Sequence, residues 1–220
     1  MNPEEIFIYQ FNSQFNIINQ KKLRVKLKNV MKKLFLYLFI FSIISFAACK
    51  KEEAKKPVVN NAQEQITTVY LSIVNQSNVN ETYLVKWKDL DGDGGNAPSI
   101  DTISLKNNNE YKVDVLILDE SKNPVDTISS EIEEEADAHR FFFTASNEIK
   151  DMWSTTYLDF DSKNRPLGLS FKIKVNSTNT SWPVLGKLNV VLSHYDGVEK
   201  DNNPSSESDL DINFPVRISM

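Results

Sequence analysis

The chain has 220 residues, of which 40% are hydrophobic and 25% are charged, so it is long and apolar enough to bury one core of ordinary size. Residues 1–49 contain seven Lys or Arg and two acids, which leaves 18 basic and 28 acidic side chains in residues 50–220. An excess of about ten negative charges in the downstream part repels phosphate backbones, so we expect no nucleic-acid partner. The single cysteine excludes an intramolecular disulfide.

The strongly apolar segment is residues 34–48, LFLYLFIFSIISFAA, which follows Met31, Lys32 and Lys33 and is 15 residues long. A helix that crosses a membrane needs about 20 apolar residues, whereas a shorter stretch behind basic residues is typical of a secretory signal. We therefore predict a signal peptide over residues 31–48. Residues 1–30 are interpreted as an upstream extension without function.

The signal ends at Phe46, Ala47, Ala48 and Cys49, which resemble the bacterial lipobox, although Phe46 stands where Leu is usual. The resemblance implies that the Cys49 sulfur carries a diacylglyceryl group and that a lipoprotein signal peptidase cleaves before it. It also implies acylation of the new amino group. Two or three acyl chains anchor firmly where one is marginal, because each buried methylene contributes about 0.8 kcal/mol. Cys49 is therefore the predicted membrane attachment, and an incidental cysteine after an ordinary signal is the alternative.

Residues 49–65 are charged, contain Pro and Asn and lack apolar periodicity, so we predict a flexible tether behind the lipid. Lys51, Glu52 and Glu53 resemble the short signal that sends some Bacteroidota lipoproteins to the outside of the cell. A solvated charge run is an equally simple interpretation. The expected location is the outer membrane, with the surface and the periplasmic side both open.

From Ile66 to the end of the chain, apolar and polar residues alternate with a period of two. Each run is expected to have one wet and one dry face. We predict strands at 68–73, 83–88, 99–105, 111–118, 139–144, 155–161, 171–175, 187–192 and 211–218. Pro215 is expected to point outward, and because proline lacks a ladder donor, its strand is predicted to be an edge strand or bulged.

Eight to ten short strands with Asn, Asp, Gly and Pro between them predict a single immunoglobulin-like β-sandwich over residues 66–220. Residues 129–138, SSEIEEEADA, are the one candidate for a helical turn, because acids suit the start of a helix. An exposed acidic connection is the alternative for this segment. The fold class is all-β in either case.

Five stretches of this domain resemble small flavobacterial lipoproteins of the Bacteroidota: ITTVYLSI at 66–73, KDLDGDGGNAP at 88–98, EIEEEADAHRFFF at 131–143, DFDSKNRPLGLSF at 159–171 and SDLDINFPVRI at 208–218. The resemblance implies no assigned activity. Some of these proteins carry the label "type 1 periplasmic binding fold", which implies a doubly wound α/β domain with helices of about ten or more residues between strands. The sequence shows no such helices, so we keep the β-sandwich.

Asp89, Asp91 and Asp93 alternate before a glycine, like the first half of a calcium loop, where oxygens at alternate positions converge on a hard cation. The position of the bidentate Glu of an EF-hand is apolar here, so another loop would have to complete a Ca²⁺ site. Asp159 and Asp161 are the candidates. The alternative is a plain hairpin turn, because Asp-Gly supplies the positive φ angles of tight turns.

Signatures of hydrolases, zinc proteases, phosphate loops and dinucleotide sites are absent from the sequence. His139 and His194 are far apart, and each is expected to satisfy a hydrogen bond of its own strand or loop rather than to form a ligand pair. We therefore expect a non-catalytic binding or structural module for a protein or glycan. The alternative is a hydrolase that cleaves extracellular polysaccharide with two carboxylates, such as Asp159 and Asp161.

Overall fold

The computed structural model describes residues 65–92, 94–178, 181–195 and 197–220. The expected signal peptide, Cys49, most of the tether and Asp93 lie outside the described residues. The described residues belong to a compact unit that spans Asn61–Met220.

Ten strands and one α-helix lie in these described ranges. The strands are β1 (Thr68–Asn75), β2 (Thr82–Lys88), β3 (Ser99–Ile100), β4 (Ile103–Lys106), β5 (Asn109–Leu118), β6 (His139–Ala145), β7 (Trp153–Tyr157), β8 (Ser170–Val175), β9 (Val184–His194) and β10 (Ser208–Ser219). Helix α1 (Ile128–Glu134) connects β5 to β6, and a 3-10 turn (Lys150–Met152) precedes β7.

The strands form two sheets, with orders β3-β2-β1-β5-β8-β7 and β4-β10-β9-β6. The pairs are antiparallel except for β4 with β10, which run parallel. Apolar side chains from both sheets form one buried cluster between them. The predicted all-β sandwich is confirmed, since strands of both sheets supply side chains to this core.

Strand β10 shows how the alternation builds the sandwich. Its buried residues are Leu210, Ile212, Phe214, Val216 and Ile218, and the residues between them are exposed. Burial of about 25 cal/mol per Å² of apolar surface favours this one register, because a slip by one residue would turn the whole apolar face to water.

The prediction of one wet face fails for β1, where Tyr70 and Ser72 are only 7% and 8% exposed. The reason is the central position of β1 in the six-stranded sheet. Tyr70 lies between Lys86 of β2 and Leu116 of β5, so neighbouring side chains cover its outer face.

The strand predicted at 99–105 is two strands in different sheets. Ser99 and Ile100 pair with β2, whereas the residues from Ile103 onward pair with β10. At the crossing, the Asp101 main-chain N–H donates to the Lys86 carbonyl and the Asp101 carboxylate accepts from the Lys86 N–H at 3.0 Å. These bonds tie the chain to the first sheet just before it leaves.

Residues 129–138 had two interpretations, a helical turn or an exposed acidic connection. The structure has a helix there, α1. Ile128 and Ile132, four residues apart on one helical face, are 1% and 0% exposed and belong to the core. The Ser129 hydroxyl accepts a hydrogen bond from the Ile117 N–H at 2.6 Å, which joins the helix to β5. No helix among the described residues is both long and apolar enough to cross a membrane.

Pro215 points outward as predicted, but β10 is not an edge strand. It lies between β4 and β9, and its bulge is at Ser208 and Leu210, not at the proline. The parallel ladder with β4 begins only at Val216, so at Pro215 the strand pairs with β9 alone. The missing donor of the proline is tolerated there for this reason.

Both sheets bring several strand ends together at one end of the sandwich, which we call the N-terminal end because β1 starts there. In the first sheet, the start of β1 pairs with the ends of β2 and β5, and the start of β8 pairs with the end of β7. The start of β6 joins them, since the Tyr157 hydroxyl donates to the Phe141 carbonyl at 2.8 Å. All the candidate site residues described below lie at this end.

Candidate functional site

The aspartate-rich loop lies between β2 and β3, and its described carboxylates hold the turn. Asp89 Oδ1 accepts from the Gly92 N–H at 2.9 Å. Asp91 Oδ2 accepts from the main-chain and side-chain nitrogens of Asn96 at 3.0 and 2.7 Å, and these bonds lower the pKa of Asp91. Gly92 has φ of 70°, the left-handed conformation that a tight turn requires. The contacts of Asp89 and Asp91 are those of a turn. Asp93 lies outside the described residues.

Asp159 follows β7 and anchors the loop to β8. Its two oxygens accept main-chain hydrogen bonds from Gly168 at 2.8 Å and from Leu169 at 2.9 Å. Burial raises the pKa of Asp159, and these main-chain donors oppose the rise. The Asp159 carboxylate therefore links the two ends of the loop between β7 and β8.

Asp161 lies in the same loop at the centre of a buried ion-pair network. Its Oδ2 accepts from Arg165 Nε at 2.8 Å and lies 3.2 Å from Lys200 Nζ. The side chains of Asp161 and Lys200 have no exposed surface, and Lys200 also donates to the Ala136 carbonyl at 2.8 Å. Burial favours the neutral acid, but the hydrogen bonds from Arg165 and Lys200 outweigh it and lower the pKa of Asp161 to about 2.

The structure does not bring Asp159 and Asp161 to the loop of Asp89 and Asp91. Both loops lie at the N-terminal end, but one follows β2 and the other follows β7. Strands β1, β5 and β8 lie between these two. At about 4.8 Å per strand the separation is roughly 19 Å, which is too far for one ion to bridge.

The two histidines meet across the second sheet, contrary to the expectation that each would act alone. His139 is the first residue of β6, His194 is the last of β9, and they are direct register partners in the antiparallel pair. Their rings stack with centroids 4.6 Å apart and planes 26° from parallel. The next inward-facing pair along these strands, Phe141 and Leu192, is fully buried, so the histidines close the end of the core.

Asp209 is placed beside the histidines by a β-bulge. Ser208 pairs with Ser193 and Leu210 with Leu192, so Asp209 is an extra residue of β10 without a partner in β9. A bulge re-aims the side chain of the inserted residue. Asp209 Oδ2 lies 3.7 Å from His139 Nε2, and Asp209 Oδ1 lies 3.9 Å from His194 Nδ1.

The surroundings of His139 determine which ring nitrogen faces Asp209. His139 Nδ1 is 3.2 Å from the Glu135 carbonyl, and since a carbonyl only accepts, Nδ1 carries the proton. Burial lowers the pKa of His139 and so favours the neutral ring, in which Nε2 presents its lone pair to Asp209. Burial also raises the pKa of Asp209, an effect that the two histidines oppose.

We name His139, His194 and Asp209 the histidine–aspartate cluster. Among the described residues it is the one group of three His, Cys, Asp or Glu side chains whose ligand atoms converge, all within 4.8 Å of one another. The sequence carried a partial signal for it. The chain has two histidines, one at the predicted start of a strand and one just past the predicted end of another, and an antiparallel pair would place these ends side by side. Asp209 gave no signal, because a bulge is not visible in the alternation.

Comparison of the chain with protein-family models, with curated proteins and with solved structures gave no match.

Proposed function

We propose that this protein is a lipid-anchored lipoprotein of the outer membrane whose β-sandwich is a non-catalytic binding or structural module for a protein or glycan. The observation that carries the proposal is the order of its parts. A basic start, the apolar residues 34–48, Cys49 and a charged tether are followed directly by the first strand at Thr68. The resemblance to small flavobacterial lipoproteins belongs to the same proposal.

The contacts of the two loop carboxylates support a module over a hydrolase. An acid–base pair for glycoside cleavage must reach the substrate. Asp159 instead accepts two main-chain hydrogen bonds, and Asp161 is buried against Arg165 and Lys200. Burial raises the pKa of Asp159, whereas the pKa of Asp161 is lowered because the hydrogen bonds from Arg165 and Lys200 outweigh its burial.

The anchor is tested by Cys49→Ala. Without the thiol, no thioether to diacylglycerol can form, so we expect the variant to lose fatty-acid labelling and to remain uncleaved or leave the outer-membrane fraction. Ser45→Ala, a change of similar size in the same apolar segment, is the matched control and should be labelled and processed like the parent. Normal labelling and outer-membrane retention of Cys49→Ala would contradict the anchor.

Calcium enters the proposal only through the loop of Asp89, Asp91 and Asp93. A loop with ample charge but no bidentate ligand is expected to bind with a dissociation constant of about 0.1 to 1 mM. At ten times that concentration, binding to the folded state would raise the free energy of unfolding by about 1.4 kcal/mol. Thermal unfolding in calcium and in chelator measures this, and Asp93→Asn should abolish the difference. If the parent has the same unfolding temperature in calcium and in chelator, the loop is a turn that binds no calcium.

A further inference from the structure

We propose that the histidine–aspartate cluster is a binding site for a divalent transition-metal ion of the Zn²⁺ class, held by His139 Nε2, a ring nitrogen of His194 and the Asp209 carboxylate. The inference does not depend on the lipid anchor, since every residue it uses belongs to the sandwich. The three residues of the cluster belong neither to the loop of Asp89, Asp91 and Asp93 nor to the loop of Asp159 and Asp161.

The distances between the ligand atoms of the cluster fit a bound metal ion better than a direct hydrogen bond or a bridging water molecule. The separations of 3.7 and 3.9 Å between Asp209 oxygens and histidine nitrogens exceed the hydrogen-bond range of about 2.7 to 3.2 Å. A bridging water would hold its two partners roughly 4.5 Å apart. Two ligands of a tetrahedral ion with bonds of about 2.0 to 2.1 Å lie about 3.4 Å apart. Both observed separations lie nearer to this value than to that of a water bridge.

The cluster also has the supporting contact that metal-binding histidines have. The His139 Nδ1–H donates to the Glu135 carbonyl at 3.2 Å, which fixes the tautomer and leaves Nε2 as the ligand atom. His139 is 2% exposed, so packing limits the motion of its ring.

The ligand types select the class of ion. Imidazole nitrogens suit Zn²⁺, Cu²⁺ and Ni²⁺, whereas Ca²⁺ and Mg²⁺ prefer sites made of oxygens alone. Three protein ligands leave a fourth position of a tetrahedral ion for water or an external ligand. The His194 and Asp209 side chains are 14% and 11% exposed, so the site is reachable from solvent at the N-terminal end of the sandwich.

The bulge that places Asp209 is a further argument for a built site. Without the extra residue, Asp209 would follow the alternation of β10 and face away from Leu210 and the core. The bulge instead directs its carboxylate to both histidines. Bulges occur next to functional sites, where they re-aim a side chain in this way.

The test is a Zn²⁺ titration of the full chain, purified in detergent without a histidine tag and stripped with a chelator. We expect one equivalent of Zn²⁺ per chain, undiminished by excess Ca²⁺ or Mg²⁺, and a higher unfolding temperature with Zn²⁺ than without. Co²⁺ in the same site should give the intense visible absorption of a tetrahedral centre. The Cys49→Ala chain should behave identically, which removes the one thiol of the protein as a ligand.

Three variants separate ligands from bystanders. His194→Gln and Asp209→Asn each remove a ligand, so each should weaken Zn²⁺ binding by more than the roughly 10- to 100-fold that loss of an orienting partner costs. Asp211→Asn is the matched control, because Asp211 is an exposed aspartate on the same strand, and it should bind like the parent. Failure of the parent to bind Zn²⁺, or parent-like binding by both folded ligand variants, would overturn the proposal. If one ligand variant does not fold, the other decides alone.

Discussion

Replacing Asp161 by Ala is expected to lower the free energy of unfolding by about 3 to 5 kcal/mol, because the change leaves the Lys200 ammonium buried without its carboxylate. The side chains of both residues are fully buried, and Asp161 also accepts main-chain hydrogen bonds from Lys163 and Arg165 at 2.9 and 2.8 Å. Such a loss is a large part of the roughly 5 to 15 kcal/mol that stabilises an ordinary domain. Urea unfolding of the full chain measures it.

Lys163→Ala is the matched control for this prediction. Lys163 is in the same loop, but it is 59% exposed, and its partner Glu199 is 73% exposed, at 3.5 Å. An exposed pair of this kind contributes about 0 to 1 kcal/mol. If Asp161→Ala and Lys163→Ala unfold at the same urea concentration, the buried pair does not stabilise the sandwich. The double variant Asp161→Ala with Lys200→Met should lose less than the sum of the single variants, since it removes the unpaired charge.

The Asp161 network also predicts how stability depends on pH. The pKa of Asp161 is about 2 in the folded protein, below the value of about 3.9 for an unperturbed aspartate. A lowered folded-state pKa gives stability that is present above pH 4 and is lost as the pH falls from about 4 to 2. The difference in unfolding free energy between the parent and Asp161→Ala should therefore shrink over that interval. A constant difference would mean that the charge of Asp161 is not its source.

The second large effect is expected for Ile132→Ala in helix α1, which should lower the free energy of unfolding by about 2 to 5 kcal/mol. Ile132 is 0% exposed and packs in the core that both sheets share, so its truncation leaves a cavity. Glu134→Ala is the control on the exposed side of the helix, and it should change stability by less than about 0.5 kcal/mol. Equal stabilities of Ile132→Ala and Glu134→Ala would show that this segment does not pack on the sandwich.

The alternation of apolar residues was sufficient to predict the sandwich because it is a local property of each strand. In β10, side chains that alternate between buried and exposed can face only one way, and the same holds for β8 with Phe171, Ile173 and Val175. Composition and turn residues then limited the fold to short strands in two sheets. Alternation failed at β1, where burial depends on the neighbouring strands rather than on the strand itself.

Where strands end and change sheets was not predictable from local pattern. Residues 99–105 were predicted as one strand. The adjacent polar residues Asp101 and Thr102 interrupt the alternation there, but this does not reveal that Ile100 pairs in one sheet and Ile103 in the other. The choice depends on partners that are distant in the chain, since Ile103 pairs with Val216. Helix α1 is a similar case, because the core that covers Ile128 and Ile132 decides between a helix and an open connection.

By itself, the sequence determined the all-β class, since this depends on a period of two, whereas the anchor at Cys49 and the tether stay predictions from neighbouring residues. The tertiary structure alone decided which polar groups meet. His139 and His194 are 55 positions apart in the sequence and become partners only through the register of β6 and β9, and Asp209 reaches them only through a bulge. Asp161 and Lys200 likewise meet only in the folded protein, because one lies in a loop of the first sheet and the other in a loop of the second. Hydrophobic alternation sets which face of each strand is buried and excludes a slip by one residue, but it does not specify which strands pair. The chemistry at the ends of the strands depends on that pairing.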